Sequence, residues 1–173
     1  MGLFLVETTI DESLQTKEAF EKAVEHLKTT LNEGELIEVQ VAADFHRAFF
    51  IIEANEQPAL DQSLKEKSLK PLLTKEIRIV GQELEDVKKQ REKINYLVEW
   101  NLPKDLTMDQ YLARKKANSV HYAEVPEVKF SRTYVCEDMS KCLCFYDAPD
   151  DEAVKRARKV VKAPIDAITR ISE

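Results

Sequence analysis

The sequence contains few of the residues on which common catalytic motifs depend, with three glycines and three histidines among 173 residues. Gly-rich phosphate loops and the G-x-S-x-G turn of hydrolases need glycine at fixed spacings, and neither pattern occurs. The histidines form no H-x-x-x-H pair. These absences weigh against nucleotide binding and against hydrolase chemistry.

Long apolar runs and an excess of basic residues are also missing. No stretch approaches the ~20 apolar residues that cross a bilayer, so we expect no membrane partner. The formal net charge of -6 argues against a nucleic-acid partner, because nucleic-acid binders present a basic face to phosphates. The cysteines are odd in number and crowded into residues 136–144. They do not form a secreted disulfide framework, so we expect a cytoplasmic protein.

What the chain does contain is one pattern twice. Phe4-Leu-Val-Glu7 recurs as Tyr96-Leu-Val-Glu99, and the segment at residues 47–54 recurs at 141–148. Both matches have nearly the same spacing, as a duplicated supersecondary unit would have. We therefore predict two tandem copies of one unit, at residues 1–81 and 96–173, joined by a charged helical connector at 82–95.

Apolar periodicity gives each copy the element order βαββαβ. In the first copy we predict strands at residues 3–10, 36–43, 48–54 and 77–80, a helix at 16–31 and a shorter helix that opens at Pro58. In the second copy we predict strands at 96–102, 128–137, 142–148 and 168–171, and helices at 107–122 and 150–161. This order predicts a ferredoxin-like α+β fold, in which a four-stranded antiparallel sheet carries both helices on one face.

Apolar residues occupy both faces of the predicted strands, as in Phe49-Phe-Ile-Ile52. Both faces of each sheet should therefore be buried. Packing the two sheets face to face would cover the faces that carry no helix, and would make an intrachain pseudo-dimer. We expect the chain to be a monomer of this kind or a weak homo-oligomer.

The cysteines are the first candidate site. Cys142 and Cys144 alternate along a strand, so their side chains share one face with Cα atoms ~6.6 to 6.8 Å apart, at the outer limit for a disulfide. If the hairpin is symmetric about Met139, Cys136 lies opposite Cys142 and the three thiols form one cluster, whereas a shift of one residue puts Cys136 on the other face. The thiols are small core residues, soft-metal ligands or a redox pair.

Two acidic residues and one histidine are further candidates. Glu7 and Glu99 occupy equivalent positions in apolar strands, where a carboxylate is costly unless it is paired, hydrated or bound to a ligand. An ion pair with Arg or Lys at the strand end is the simplest interpretation. His121, near a helix end, is a candidate ligand or general base, or a residue favoured there by the helix dipole.

Aromatic residues are concentrated in the strands of the second copy. We consider a small-molecule pocket between the two sheets, with Glu7, Tyr134, Tyr146 and Trp100 as candidate lining residues. The alternative is that these residues are core.

The second copy contains several recognisable segments in order, namely Tyr96-Leu-Val-Glu99, Ser131-Arg-Thr-Tyr-Val135, the run from Cys142 to Pro149, Glu152-Ala-Val154 and Ala163-Pro-Ile-Asp166. In these segments it resembles a family of small bacterial proteins of unknown function with a ferredoxin-like fold, some of which are described as nickel-binding. The resemblance implies a domain that pairs through its sheet and binds nickel or a similar divalent ion. The first copy has no cysteine, so a thiol-based metal site would be single.

These observations leave three functions open. The first is a binding protein for nickel, zinc or another divalent metal, with Cys142 and Cys144 as ligands and Glu99, Cys136 or His121 completing the shell. The second is an enzyme resembling cofactor-free monooxygenases or isomerases, with a pocket between helices and sheet for which Glu99, His121 and Tyr146 are the candidate polar groups. The third is a small-ligand sensor or interaction module. No catalytic residue can be assigned from the sequence.

Overall fold

The computed structural model describes residues 2–31, 34–55, 69–89 and 93–172. The chain divides into two compact units, Met1–Ile77 with Ser172–Glu173, and Arg78–Ile171. The helix predicted to open at Pro58 lies outside the described residues. Within those residues, no helix has both the length and the apolar character that a membrane crossing requires.

The first unit is an antiparallel sheet with the strand order β2-β3-β1-β4. Its described elements are β1 (Gly2–Ile10), a 3-10 turn (Glu12–Leu14), α1 (Lys17–Thr30), β2 (Glu35–Val41), β3 (Arg47–Ala54) and β4 (Leu69–Val80). The hydroxyl of Thr16 accepts a hydrogen bond from the Ala19 backbone N–H at 3.2 Å and caps α1. Phe20 and Leu27 of α1 are buried against the sheet. The predicted helix and first three strands are confirmed within two residues at each end.

The last strand of the first unit was predicted incorrectly, because β4 begins at Leu69 and not near residue 77. Pro71 interrupts the strand pattern in the sequence. In the structure Glu7 is paired with Leu73 and Thr8 with Pro71, so the ladder contains a bulge. A bulge tolerates the missing N–H of proline, which explains why the strand continues through this residue.

The second unit repeats the arrangement with the strand order β6-β7-β5-β8. Residues 78–80 at the end of β4 belong to this unit. The further elements are α2 (Leu84–Lys89), β5 (Tyr96–Asn101), α3 (Met108–Asn118), a 3-10 segment (Ser119–Glu124), β6 (Lys129–Cys136), β7 (Lys141–Asp147), α4 (Asp151–Val160) and β8 (Ala167–Arg170). The described part of the predicted helical connector contains one short helix, α2.

The helix predicted at residues 107–122 is shorter than expected. Thr107 and Gln110 form a capping box that begins α3. The helix ends at Asn118, where the Ser119 hydroxyl donates to the carbonyl of Lys115 and the chain continues as a 3-10 segment. The tighter turn carries Tyr122 over the sheet, where its ring stacks on Phe130.

The two units share strand register as well as strand order. Phe50 pairs with Val6 and Val39 in the first unit, and Cys144 pairs with Val98 and Thr133 in the second. Both hairpins also contain one left-handed residue, Phe45 with φ 59° and Met139 with φ 61°. Descent from a duplicated ancestor and the face-to-face packing of the sheets stay predictions.

Burial on both sheet faces is confirmed in each unit. On the face that carries the helices, strand residues join an apolar cluster in each unit. On the opposite face the strand residues are also buried, among them Leu5, Phe49 and Ile51 in the first unit and Leu97, Leu143 and Phe145 in the second. The continuous apolar runs in the sequence follow from this arrangement.

Candidate functional site

The hairpin between β6 and β7 determines where the three sulfur atoms lie. Val135 and not Cys136 pairs with Cys142, because the loop from residue 137 to 140 has an even number of residues. Cys136 therefore projects to the face opposite Cys142 and Cys144. Of the two registers considered from the sequence, the structure has the one that separates Cys136 from the other two thiols, since the hairpin is not symmetric about Met139. Cys136 is buried, and burial raises the pKa of its thiol.

Glu7 and Glu99 are both buried in ion pairs. Arg47 Nη2 lies 2.6 Å from Glu7 Oε1, and Lys141 Nζ lies 2.8 Å from Glu99 Oε1. The interpretation that each carboxylate pairs with an Arg or Lys is confirmed. Glu99 pairs across the ladder with Leu143, so it lies on the opposite face from Cys142 and Cys144.

His121 lies in the 3-10 segment after α3. Its Nδ1 is 2.7 Å from Glu124 Oε2, and both side chains are exposed. Across residues 2–31, 34–55, 69–89 and 93–172, no group of three or more His, Cys, Asp or Glu residues is placed to hold a metal ion. The ligand set suggested by the sequence is therefore not brought together.

The second unit contains a small pocket, which we call the Arg158 pocket, between α3 with its 3-10 extension, the end of α4 and the helix-bearing face of the sheet. Its volume is about 30 Å³, room for roughly two water molecules. Its lining residues are Trp100, Tyr111, Arg114, Lys115, Asn118, Ser119, Tyr122, Cys144, Arg158, Val161, Lys162 and Ala163.

Arg158 is the central polar residue of the pocket, with 2% of its surface exposed. Its Nη1 donates to Tyr146 Oη at 3.1 Å, its Nη2 donates to the carbonyl of Pro164, and its Nε has no hydrogen-bond partner. Tyr146 Oη lies 2.6 Å from Tyr122 Oη. Burial opposes the guanidinium charge, but Cys144 and Tyr146 outweigh it, so the pKa of Arg158 lies above its ordinary value.

The two tyrosines of this chain of hydrogen bonds resist ionisation. Burial raises the pKa of Tyr122 to about 12, partly offset by the positive charge of Arg158. Burial also raises the pKa of Tyr146 well above its ordinary value. Both phenols are therefore neutral hydrogen-bonding groups at physiological pH.

Cys144 lies at the floor of the pocket and is the more acidic member of the thiol pair. The Cys142 thiol donates to it and lowers its pKa, and Lys115 and Arg158 act in the same direction, while burial opposes them. Thr133 Oγ1 also donates to Cys144 Sγ at 3.2 Å. The pKa of Cys142 is raised by the same contact with Cys144 and by burial. The arrangement favours a thiolate at Cys144.

The structure places the four predicted pocket residues in different surroundings. Trp100 lines the Arg158 pocket. The Tyr146 hydroxyl shares a hydrogen bond with the hydroxyl of Tyr122, another lining residue. Tyr134 lies on the other face, edge-on to Phe145. Glu7 belongs to the first unit.

The residue at the centre of the pocket, Arg158, was not among the predicted site residues. Arg158 follows Val154 by one helical turn and adjoins the buried Ala157, so it lies on the apolar side of α4. An arginine on an apolar stripe is a detectable signal, since arginine is rarely fully buried. Lys115, Tyr111 and Tyr122 carry no comparable pattern.

Comparison with known proteins gives one family match and several fold matches. Residues 96–171 match the family model described as nickel responsive protein SCO4226-like. None of the curated proteins matches the chain. The solved structure of SCO4226 from Streptomyces coelicolor A3(2) is 18% identical, with a TM-score of 0.40 over 46% of this chain and 96% of that chain.

Two other solved structures match nearly the whole chain. The candidate chlorite dismutase TA0507 is 9% identical, with a TM-score of 0.59 over 100% of this chain and 96% of that chain. A candidate monooxygenase from Lactobacillus acidophilus NCFM is 10% identical, with a TM-score of 0.51 over 99% and 94%. At these identities the likeness shows an α+β fold of the ferredoxin-like type and nothing about activity.

Proposed function

We propose that this chain is a small-ligand-binding protein and that its ligand occupies the Arg158 pocket. The observation that carries the proposal is a polar cluster that opens to solvent inside an otherwise apolar core. Protein cores are close-packed, and buried polar side chains are costly unless they are satisfied. The core of the second unit nevertheless contains four polar side chains together, those of Arg158, Tyr146, Tyr122 and Cys144. A function that requires them would account for their cost.

The first unit supports the proposal by contrast. Phe50, at the ladder position of Cys144, packs its ring 6.3 Å from that of Phe20. The same fold therefore closes this position with aromatic packing in one unit and leaves a polar pocket in the other.

A blocking substitution tests the proposal. Ala163 lines the pocket and Ala113 lies exposed on α3 away from it. In a thermal-shift screen of small metabolites with the full chain, a ligand at a hundred times its Kd should stabilise the wild type by about 2.7 kcal/mol. Ala163→Trp should abolish that shift and Ala113→Trp should preserve it. Equal shifts in the two variants would place the ligand elsewhere and refute the proposal.

A metal-related binding role is the second candidate, and the match of residues 96–171 to a nickel-responsive family favours it. The donor atoms do not fit a closed thiolate site, because such a site needs about four ligands and only Cys142 and Cys144 share a face. The neighbouring cations Lys115 and Arg158 would also repel a metal ion. A role for nickel or zinc would therefore need ligands besides those predicted.

Isothermal titration with nickel and with zinc decides this candidate. If the thiol pair binds the metal, Cys142→Ser and Cys144→Ser should each remove the heat of binding, and Cys136→Ser should leave it unchanged. Cys136 is the matched control because it is buried in the same hairpin on the opposite face. Absence of heat with both metals in the wild type would end the metal candidate.

We also propose the finer features of the architecture. Origin by tandem duplication is supported by the shared ladder register and by the left-handed residues at matching hairpin positions. A monomeric pseudo-dimer and a cytoplasmic location complete the proposal. The latter is supported by three free, buried cysteines, which suit a reducing compartment. The enzyme alternative is not favoured, because the monooxygenase and chlorite dismutase neighbours are 10% and 9% identical, and at that identity the likeness shows a fold without an activity.

A further inference from the structure

We infer that the ligand of the Arg158 pocket is a small oxyanion, or the oxyanion head of a larger molecule. This inference rests on the proposed function and names the chemical class of ligand. It follows from the charge, the open hydrogen-bond donor and the size of the pocket.

The charge of the pocket is positive. Four of its lining residues are basic, namely Arg114, Lys115, Arg158 and Lys162, and none of the lining residues in the described part of the chain is aspartate or glutamate. Arg158 is almost completely buried; its guanidinium donates to the Tyr146 phenol and to the carbonyl of Pro164, and the acidic group nearest in effect is the Cys144 thiol and no carboxylate. A buried guanidinium without a carboxylate is costly, and a negative group in the pocket would offset that cost.

The open donor is Arg158 Nε. Buried polar groups in proteins nearly always have a hydrogen-bond partner, and this N–H has none. An anionic oxygen is the partner that a guanidinium N–H binds most strongly. A metal cation would leave this donor unsatisfied and would be repelled by the same four side chains.

The size of the pocket restricts the ligand. About 30 Å³ is available, room for the one or two oxygen atoms of an oxyanion that replace two water molecules, and too little for an aromatic ring or a nucleoside. Arg114 and Lys162 at the rim are exposed, and Arg114 Nη2 donates to the carbonyl of Lys162. Any larger part of a ligand would therefore remain outside, next to these two residues.

Cys144 is the competing source of negative charge. A thiolate at Cys144 and a bound oxyanion would both be stabilised by Lys115 and Arg158, and would repel each other. Binding of the oxyanion should therefore favour the neutral thiol at Cys144. Replacing Cys144 with serine should leave oxyanion binding intact or strengthen it, whereas it should abolish binding of any soft metal.

The test is calorimetric titration of the full chain with inorganic phosphate, sulfate and acetate, which separates tetrahedral oxyanions from carboxylates. Lys115→Met and Arg158→Gln should each weaken binding by about tenfold or more, as expected for loss of a charged hydrogen-bond donor. Cys144→Ser should bind at least as tightly as the wild type. Lys22→Met is the control, because Lys22 is exposed on α1, and it should bind within about twofold of the wild type.

Lys115→Met keeps the test decisive if Arg158→Gln fails to fold, since Lys115 is only partly buried. The inference is overturned if none of the three anions binds, or if Lys115→Met binds them as tightly as the wild type. If a neutral ligand or a metal shifts the melting temperature in an Ala163-dependent way while the anions do not bind, the inference fails and the proposed function stands. If Ala163→Trp changes no ligand response, the proposed function itself fails.

Discussion

The first and second units place different chemistry on the same backbone positions. In the first, Phe50 and Val39 are opposite one another on the helix-bearing face, and the Phe50 ring packs with Phe20. In the second, Cys144 and Thr133 occupy the corresponding pair and form a hydrogen bond. The ladder fixes where a side chain lies, and the residue type decides whether that place is core or site.

The two units also differ in how far the basic partner of each buried carboxylate is exposed to solvent. The Arg47 side chain is 35% exposed, and that of Lys141 is 12% exposed. Equivalent carboxylates thus have partners of unequal burial. Coulombic interactions strengthen as water is excluded, so equal substitutions should have unequal effects.

The largest expected loss of stability comes from truncating Phe50, the aromatic residue at the ladder position of Cys144. Phe50→Ala should destabilise the chain by about 3 to 5 kcal/mol, because it leaves a cavity in a packed core. Cys144→Ala, at the corresponding position, should cost only about 1 kcal/mol, since it removes one atom beside an existing pocket. Denaturant unfolding of both variants measures the difference. Equal losses would mean that the two positions are equally well packed.

The next effect comes from the buried ion pairs. Lys141→Met should destabilise by about 3 kcal/mol, because it leaves the Glu99 carboxylate buried without its lysine. Arg47→Met should cost about 1 kcal/mol, as the partly exposed arginine is screened by water. Urea midpoints of the two variants provide the comparison. A larger loss for Arg47→Met would contradict the assigned burial.

Alkaline pH should destabilise the second unit selectively, because all five tyrosines lie in it. An unfolded tyrosine ionises near pH 10, whereas the pKa of Tyr122 in the fold is about 12. A raised acid pKa gives stability that is complete below pH 10 and is lost as the pH rises towards 12. The loss should reach about 2 to 3 kcal/mol.

Phenolate ultraviolet absorbance, followed together with circular dichroism, checks this prediction. Ionisation and unfolding of the wild type should coincide, and Tyr122→Phe should lose less stability across the same pH range. If Tyr122 ionises near pH 10 while the fold persists, it is not buried as described.

The smallest contrast concerns the helix caps. Thr107→Ala removes one half of a capping box and should cost about 1 to 2 kcal/mol, whereas Thr16→Ala removes a single hydrogen bond and should cost about 0.5 to 1 kcal/mol. Thermal unfolding of the two variants measures both. Reversal of this order would show that the capping box adds nothing to α3.

The sequence was a good guide to what local patterns determine. Repeated apolar strands and the helix periodicity of α1 and α4 predicted the fold, and the isolated carboxylates Glu7 and Glu99 predicted ion pairs. It was a poor guide where the length of a loop, to within one residue, decides which face of the sheet a side chain occupies. The hairpin would be symmetric about Met139 if Cys136 paired with Cys142. The observed pairing is shifted by one residue, to Val135 with Cys142, and this shift puts Cys136 on the other face.

The Arg158 pocket shows a second reason why the site could not be predicted from the sequence. Arg158 reaches Tyr146 only because α4 packs over β7, and Tyr122 joins them only because α3 tightens into a 3-10 segment. Each contact joins residues on separate elements, so no spacing along the chain encodes it. The early start of β4 was also missed, and there Pro71 lies inside the strand next to a bulge in the ladder.

Trp100 is the sole tryptophan of the chain, and its ring lines the Arg158 pocket with the Arg114 guanidinium 5.5 Å from its centre. Its intrinsic fluorescence therefore arises from a single indole beside the site. The intensity and the emission wavelength of Trp100 fluorescence should therefore change when a ligand binds in the Arg158 pocket, so binding can be followed without an attached dye.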